Sequence, residues 1–167
     1  MFKAQLNGEV SRQAIRRGIA QLSDMTEVFN DIGEQMLAAT KQRFEDGRAP
    51  NGQKWAPKSN ATIEHYTRLG YGSLAKLKPL IGHGKTLSQD IIVNHSRHAV
   101  VIGSAALYSR VMQEGATKGA FGSDRNGRPL PWGRIPARVW LGLSRQDEND
   151  IVAIVEEKIG AALLGKR

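Results

Sequence analysis

The clearest hydrophobic pattern in the chain ends at Gly47. Side chains suited to burial recur every three or four positions, the spacing of one helical face: Met25, Val28, Phe29, Ile32, Met36, Leu37, Thr40 and Phe44. Ser23 or Asp24 is placed to cap the first turn, and Gly47 is placed to end the last one. We therefore predict a helix over residues 24–46 with this stripe buried.

Four other segments have helical spacing or a helix cap. They are residues 10–22, with Val10, Ile15, Ile19 and Leu22; a short segment from Ser59 or Asn60 to about Leu69; residues 104–114, with Ser104 as cap; and a final segment capped by Ser144. The final segment is the clearest, because Asp147 and Glu148 occupy its first turn. Its apolar stripe is Ile151, Ile154, Val155, Ile159 and Leu163.

Runs of β-branched residues predict one hairpin. Residues 91–93 and 99–102 are apolar and are separated by a polar stretch, as in two antiparallel strands joined by a turn. Residues 2–6 and 138–141 could supply two further strands. We therefore predict an α+β fold: a small, mainly antiparallel sheet packed against the long helix and a C-terminal helix, with long basic loops.

Composition favours a single domain over residues 1–167, since a chain of this length can bury a core without staples. The chain has no cysteine, which excludes disulfides and thiolate metal ligands and fits a reducing compartment. Neither a signal-peptide pattern nor an apolar run of roughly 20 residues is present, so we expect a cytoplasmic protein with no membrane partner.

The positive charge is concentrated in the middle of the chain. Residues 41–145 contain 17 Lys and Arg against 6 Asp and Glu, whereas residues 23–40 contain four acidic side chains and no basic ones. Ordinary solvated faces explain such a distribution, and so do an acidic protein partner or DNA passing nearby. The charge alone leaves these three interpretations open.

Two sequences resemble a nucleotide site or a metal site, but neither has the surroundings that such a site needs. The stretch from Gly82 to Thr86 ends in Gly-Lys-Thr, but Pro79 stands where a phosphate-binding loop needs its first glycine. His95 and His98 fall on the predicted hairpin turn, and no carboxylate cluster lies beside them in sequence. We expect no metal ion and no cofactor.

Catalytic carboxylates are also hard to identify. Asp24, Glu27, Asp31 and Glu34 lie one helical turn apart, opposite much of the apolar stripe, which is typical of a solvated acidic face. The sequence Asp124-Arg125-Asn126-Gly127 is better interpreted as a turn than as part of a calcium loop. We therefore predict no catalytic residues and a protein that is not an enzyme.

Two short constellations set large side chains among Gly and Pro, which is typical of ordered loops. The first comprises Arg43-Phe44, Gly47, Pro50-Asn51-Gly52 and Trp55-Ala56-Pro57, and the second Ile135-Pro136-Ala137-Arg138 and Trp140-Leu141-Gly142-Leu143. Between them come Lys78-Pro79-Leu80-Ile81, Leu87, Val101-Ile102-Gly103-Ser104, Tyr108 and Gln113-x-Gly115. This ordered set, over about residues 12–163, resembles the phage virion morphogenesis family, which includes tail-completion proteins.

The resemblance implies a small structural protein needed late in phage or prophage assembly, in tail completion or head–tail joining. Its expected partners are phage tail or head-connector proteins and further copies of itself in an oligomeric ring. It would act in the host cytoplasm during assembly, at the neck or tail of the virion. Two rival classes are a sequence-independent DNA-binding module, suggested by the basic middle segment, and a virion-associated cell-wall hydrolase.

We expect the interface to include the glycine-rich 116–136 loop and part of the 47–58 loop, because loops of this length in a compact domain are functional or mobile. The predicted interface residues are Trp55, Lys58, Phe121, Arg125, Arg128, Leu130, Trp132, Arg134, Arg138 and Trp140. For Trp55 and Trp140, packing in the core of one subunit is an equal alternative. The arginines are expected to pair with acidic surface, such as the 24–34 helix face of an adjacent copy.

Overall fold

The computed structural model describes residues 8–82, 84 and 86–165, and the predicted strand at residues 2–6 lies outside them. The helices are α1 (Gly8–Ser23), α2 (Thr26–Asp46), α3 (Asn60–Arg68), α4 (Gly72–Ala75), α5 (Thr86–Gln89), α6 (Ser109–Glu114) and α7 (Arg145–Leu164). The strands are β1 (Ile91–His95) and β2 (Val100–Ser104). The predicted α+β class is confirmed.

Helix α2 is the centre of the fold. Most of its predicted apolar stripe is buried, and Met25, Phe29 and Leu37 are half-buried. Val28 and Phe44 are 0% and 2% exposed. Gly47 ends the helix with φ 67°, where its N–H donates to Arg43 O, as the sequence predicted. Gly33 faces the sheet so closely that a Cβ there would lie 2.6 Å from Val93 Cγ1. A glycine is therefore what lets α2 lie against β1.

The two strands form an antiparallel hairpin with Val93 opposite Ile102, as predicted. One face packs on α2 and α7, whereas Ile92 and Val101 on the other face are exposed. The prediction of a strand at 138–141 is wrong, because this segment joins no sheet in the described chain. The N–H groups of Trp140 and Leu141 instead donate to the side chain of Gln113.

Helix α7 packs along α2 and against the sheet, with Ile151, Ile154 and Val155 facing the buried part of α2. Ser144 caps it as predicted: its hydroxyl accepts a hydrogen bond from Asp147 N–H, and the Asp147 carboxylate accepts one from Ser144 N–H. This reciprocal arrangement satisfies two backbone donors at the helix start. No helix in the described part of the chain has the length and apolarity needed to cross a bilayer.

Helix α1 is held mainly by the end of α7. Gly18 lies against Leu163, and the Arg17 guanidinium donates to Leu163 O at 3.2 Å. The predicted helix is confirmed, but its larger apolar side chains are more than half exposed: Val10, Ile15, Ile19 and Leu22. The described part of the chain therefore leaves an apolar surface of α1 exposed.

Two other boundaries differ from the prediction. The expected 104–114 helix begins only at Ser109, because Ser104 belongs to β2 and its hydroxyl instead accepts a hydrogen bond from Ala106 N–H. Two short helices, α4 and α5, lie outside the predicted elements. Helix α3 is confirmed, with Ser59 as its cap.

Candidate functional site

The two Gly- and Pro-rich constellations meet in space around Phe44 at the end of α2. The Phe44 ring lies 5.3 Å from the Trp55 ring in an edge-on arrangement and 5.9 Å from the Trp140 ring, centroid to centroid. We call Phe44, Trp55 and Trp140 the aromatic cluster. Each member is 6% exposed or less, so the cluster is a core that two distant loops close.

Both indole N–H groups of the cluster reach backbone carbonyls inside the chain. Trp55 Nε1 donates to Val139 O at 2.8 Å, and Trp140 Nε1 donates to Ser109 O at 3.2 Å. A buried indole needs such a partner, because an unpaired N–H would lose its hydrogen bond to water. In the structure, Trp55 and Trp140 therefore pack in the core of their own chain. An interface role for them stays a prediction.

A buried ion pair holds the cluster to both long helices. The Arg43 guanidinium on α2 donates to the Asp147 carboxylate at the start of α7 and, at 2.8 Å, to Gly142 O. Both charged side chains are less than a tenth exposed. The pair ties the loop that follows Trp140 to the two helices.

The segment 138–141 is fixed by a side chain instead of a strand. Gln113 Oε1 accepts hydrogen bonds from Trp140 N–H and Leu141 N–H, while Gln113 Nε2 donates to Leu141 O. Arg138 N–H donates to Met112 O. One glutamine therefore satisfies groups that a neighbouring strand would otherwise pair, and sequence periodicity gave no sign of it.

Residues 116–135 form an ordered projection that we call the arm. Ala116 and Ile135 exchange two backbone hydrogen bonds at its base, and Phe121 N–H donates to Leu130 O further out. At its tip, the Asp124 carboxylate accepts hydrogen bonds from Asn126 N–H and Arg128 N–H, which confirms the predicted turn. The segment predicted to lack regular structure is thus an irregular hairpin, closed by a side-chain cap.

The arm carries six of the ten predicted interface residues, and all six are exposed. Phe121 is 57% exposed and Trp132 is 66% exposed. The remaining members are also exposed: Arg125, Arg128, Leu130 and Arg134. Exposed aromatic and arginine side chains on an ordered backbone suit recognition of another surface, because little chain entropy remains to be lost on binding.

The last two predicted residues, Lys58 and Arg138, lie beside a cleft at the base of the arm. Lys58 Nζ donates to Leu74 O at 2.7 Å and to Leu77 O at 2.9 Å, and it lies 5.7 Å from the centre of the Tyr66 ring. Arg138 Nε donates to Ala56 O at 2.7 Å, and its Nη2 donates to Pro57 O at 2.8 Å. Carbonyls, not carboxylates, hold these two cations.

Burial lowers the pKa of both groups. Removal from water lowers the pKa of Lys58, and the charge of nearby Arg138 lowers it further. Removal from water also lowers the pKa of Arg138. Both shifts mean that the protein environment disfavours the positive charge relative to water. The cleft thus concentrates positive charge that the described side chains do not neutralise.

Sequence reasoning brought together some of these features and missed others. It identified the loops and the arm, and the structure places the Trp55 and Trp140 loops in contact. It missed the roles of Gln113 and of Gly115, where a Cβ would lie 2.7 Å from both Ala137 N and Ile135 O. It also missed the pairing of Arg43 with Asp147, whose charges are 104 residues apart in sequence.

Comparison with known proteins gives a consistent result. The model of the phage virion morphogenesis family matches residues 6–160. The chain is also 28% identical over 164 residues to the putative capsid assembly protein G of Escherichia phage Mu, across 95% of this chain and 96% of that protein. No solved structure matches the chain.

Proposed function

We propose that this chain completes tails or joins heads to tails as part of an oligomeric ring. It belongs to the phage virion morphogenesis family, and its role in phage assembly is structural. The similar phage Mu protein carries the name of a capsid assembly protein, which supports a place at the head end of this junction. The chain would act in the host cytoplasm and could remain at the virion neck or tail.

The observation that carries the proposal is the arm. Its backbone is ordered by its own hydrogen bonds, yet Phe121 and Trp132 are more than half exposed. Large aromatic side chains exposed on a rigid projection are common anchors of protein interfaces. The arm is therefore the part of the chain best suited to contact another subunit.

Charge and helix α1 support the oligomeric part of the proposal. Arg125 and Arg128 on the arm are exposed, as are Glu27 and Glu34 on α2, so the arm of one copy has an acidic surface to meet on the next. The exposed apolar side chains of α1 add a second uncovered surface. Contact between different surfaces of identical subunits generates rings when the rotation closes.

The rival classes make different demands on the structure. A DNA-binding module would use the same arm arginines, and its affinity would fall steeply with salt because phosphate contacts release counterions. A cell-wall hydrolase would need a positioned acid and base around a substrate. We favour assembly because the arm places aromatic anchors beside its charges, a combination that phosphate contacts alone do not require.

Deletion of residues 119–132 tests the proposal. The cut ends lie opposite each other, since Gly119 N–H donates to Pro131 O, so the shortened hairpin can close without disturbing the aromatic cluster. The variant and the intact chain would be supplied to a phage or prophage that lacks its own copy. We expect a folded variant and an accumulation of unjoined heads and tails, or unfinished tails, by electron microscopy.

The matched control is Leu107→Ser, which removes a fully exposed leucine outside residues 116–135. It should support normal particle yields. Full yields of infectious particles from the arm deletion would show that the arm has no role in assembly. Purified protein that binds a DNA duplex with steep salt dependence, and loses that binding on deletion, would favour the DNA-binding class instead.

A further inference from the structure

The cleft at the base of the arm is a separate concave site of about 440 Å³. It lies between α3, the segment before α5, helix α6 and the base of the arm. Its lining includes three cations, Lys58, Arg134 and Arg138. It also includes apolar side chains, which we call the apolar wall: Ile81, Met112 and Ile135. A site of this size and mixed lining suits a few side chains of a peptide rather than a flat surface.

The cations of the cleft have no acidic partner in the described part of the chain. Three ion pairs are seen there, and they involve Arg43, Arg110 and Lys158 with their carboxylates. Arg138 is 8% exposed, so its charge is largely removed from water. Buried charges are normally paired with an opposite charge. Lys58 and Arg138 instead donate to separate pairs of backbone carbonyls and repel each other.

A carboxylate would complete this arrangement. It would attract both cations, and a guanidinium and an ammonium bind a carboxylate with strong, charge-assisted hydrogen bonds. Arg134 is exposed at the same opening and could draw an anion toward the recessed charges. Binding of one carboxylate would then offset one of the three positive charges of the cleft.

The apolar wall favours a peptide over nucleic acid. A DNA backbone presents its phosphates on a broad polar ridge, whereas Ile81, Met112 and Ile135 offer apolar contact to hydrocarbon side chains. Specific peptide sites commonly combine such contacts with one charged group that fixes the register. A carboxylate flanked by apolar residues matches the cations and the apolar wall at once.

We propose that this cleft binds an acidic side chain, flanked by apolar residues, from a peptide segment of a neighbouring assembly protein. The proposal rests on the proposed function, because it specifies the chemistry of the partner that the assembly role requires. Lys58 and Arg138 hold the carboxylate, Arg134 guides it in, and the apolar wall holds the adjacent side chains. The arm and the cleft then contact the partner from adjoining surfaces.

Titration of the isotope-labelled full chain with two blocked peptides tests this. Acetyl-Leu-Glu-Leu-amide carries the carboxylate, and acetyl-Leu-Gln-Leu-amide is its neutral isostere. We expect the Glu peptide to shift the amide resonances of Thr62, Gly82 and Ile135, which line the cleft. It should bind at least about tenfold more tightly than the Gln peptide, which corresponds to one favourable charge contact.

Substitutions test which residues cause the preference for the Glu peptide. Lys58→Met should remove the preference for the Glu peptide, whereas Lys54→Met, on the exposed loop outside the cleft, should keep it. Because Lys58 also holds two carbonyls, Arg134→Gln serves as a second variant whose exposed position does not threaten folding. It should weaken binding of the Glu peptide without changing binding of the Gln peptide.

Equal binding of the two peptides, or no shift of cleft resonances, would overturn the proposal. So would a short DNA duplex or inorganic phosphate that displaces the Glu peptide at equal or lower concentration, since the site would then be a phosphate site. These titrations need no phage particle, whereas the arm deletion is scored on particles. Failure of the cleft proposal is therefore distinguishable from failure of the assembly role.

Discussion

The aromatic cluster and the arm are built from the same kinds of residues but have opposite surroundings. Both place tryptophan among glycine and proline in loop segments: Trp55 and Trp140 in the cluster, and Trp132 in the arm. Trp140 is 3% exposed and donates to a carbonyl of its own chain, whereas Trp132 on the arm is 66% exposed. The difference lies in whether the chain supplies a surface to cover the ring.

This comparison separates the residues that stabilise the fold from the residues that are exposed for binding a partner. The cluster has the end of α2, the ion pair of Arg43 and the hydrogen bonds of Gln113 around it. The arm has its own backbone hydrogen bonds and a capped tip, but its aromatic rings face solvent. We therefore expect substitutions in the cluster to reduce stability, and substitutions on the arm to reduce assembly.

The largest expected effect comes from removing a cluster indole. Trp140→Ala should lower the free energy of unfolding by about 3–5 kcal/mol, because it leaves a cavity against Phe44 and removes a buried hydrogen bond. Trp132→Ala should change it by less than about 0.5 kcal/mol, as surface substitutions usually do. Urea denaturation of both variants makes the measurement. Similar losses for the two would erase the proposed difference between cluster and arm.

Breaking the buried ion pair should have a comparable effect. Arg43→Met leaves the Asp147 carboxylate buried without its cation, which typically costs about 3–5 kcal/mol. The matched change on the arm, Arg125→Met, should have almost no effect on stability. The double variant Arg43→Met with Asp147→Asn should recover part of the loss, since no buried charge is then left unpaired. A double variant no more stable than Arg43→Met would contradict this account of the pair.

A smaller loss of stability is expected from substitution of Gly115, which lies between the aromatic cluster and the arm. Gly115 has φ 77° and ψ 179°, a conformation that other residues adopt at a cost of about 1–3 kcal/mol, and a Cβ there would also meet backbone at 2.7 Å. Gly127→Ala, at φ 74° with open space around it, is the control for backbone strain alone. Thermal unfolding should show a larger loss for Gly115→Ala; equal losses would mean that close packing at the junction is unimportant.

The smallest effect concerns the ion pair of Asp31 and Lys158, with a distance of 2.8 Å. The hydrogen bond between them lowers the pKa of Asp31 and raises that of Lys158. The pair's contribution is therefore present at neutral pH, lost as pH falls below 3.8 through the folded pKa of Asp31, and lost as pH rises above 10.5 through that of Lys158.

Both side chains are about a third exposed, so water screens the pair and its contribution should be below about 1 kcal/mol. Asp31→Asn should lower the free energy of unfolding at neutral pH and have less effect once Asp31 is protonated in the intact chain. Urea denaturation at neutral pH and at a pH well below 3.8 tests this. An unchanged effect at both would show that charge is not what Asp31 contributes.

Local patterns predicted most of the fold. The periodic stripe of α2, its stop at Gly47 and the Ser144 cap of α7 are signals carried by neighbouring residues, and the hairpin is marked by its β-branched runs. The failed strand at 138–141 depends instead on Gln113, some 27 residues away, whose side chain occupies the hydrogen-bonding position of a partner strand. No periodicity in the sequence could reveal that exchange.

The candidate site was predictable in part for the same reason. The arm's tip was recognisable because Asp124 and Gly127 form a local turn, and its exposed aromatic residues lie within that segment. The cleft was not recognisable as a cavity, because Lys58 and Arg138 meet only through the folding of distant loops. Burial depends on which distant surfaces meet, so composition alone could not distinguish Trp140 from Trp132.

One comparison tests the central claim most directly: the infectious yield and the stability of Trp132→Ser, measured beside Leu107→Ser. Both changes remove a large exposed apolar side chain, one on the arm and one elsewhere. We predict that both proteins unfold at the same urea concentration as the intact chain, and that only Trp132→Ser fails to restore infectious particles to a phage lacking its own copy. Normal yields from a folded Trp132→Ser protein would contradict the account.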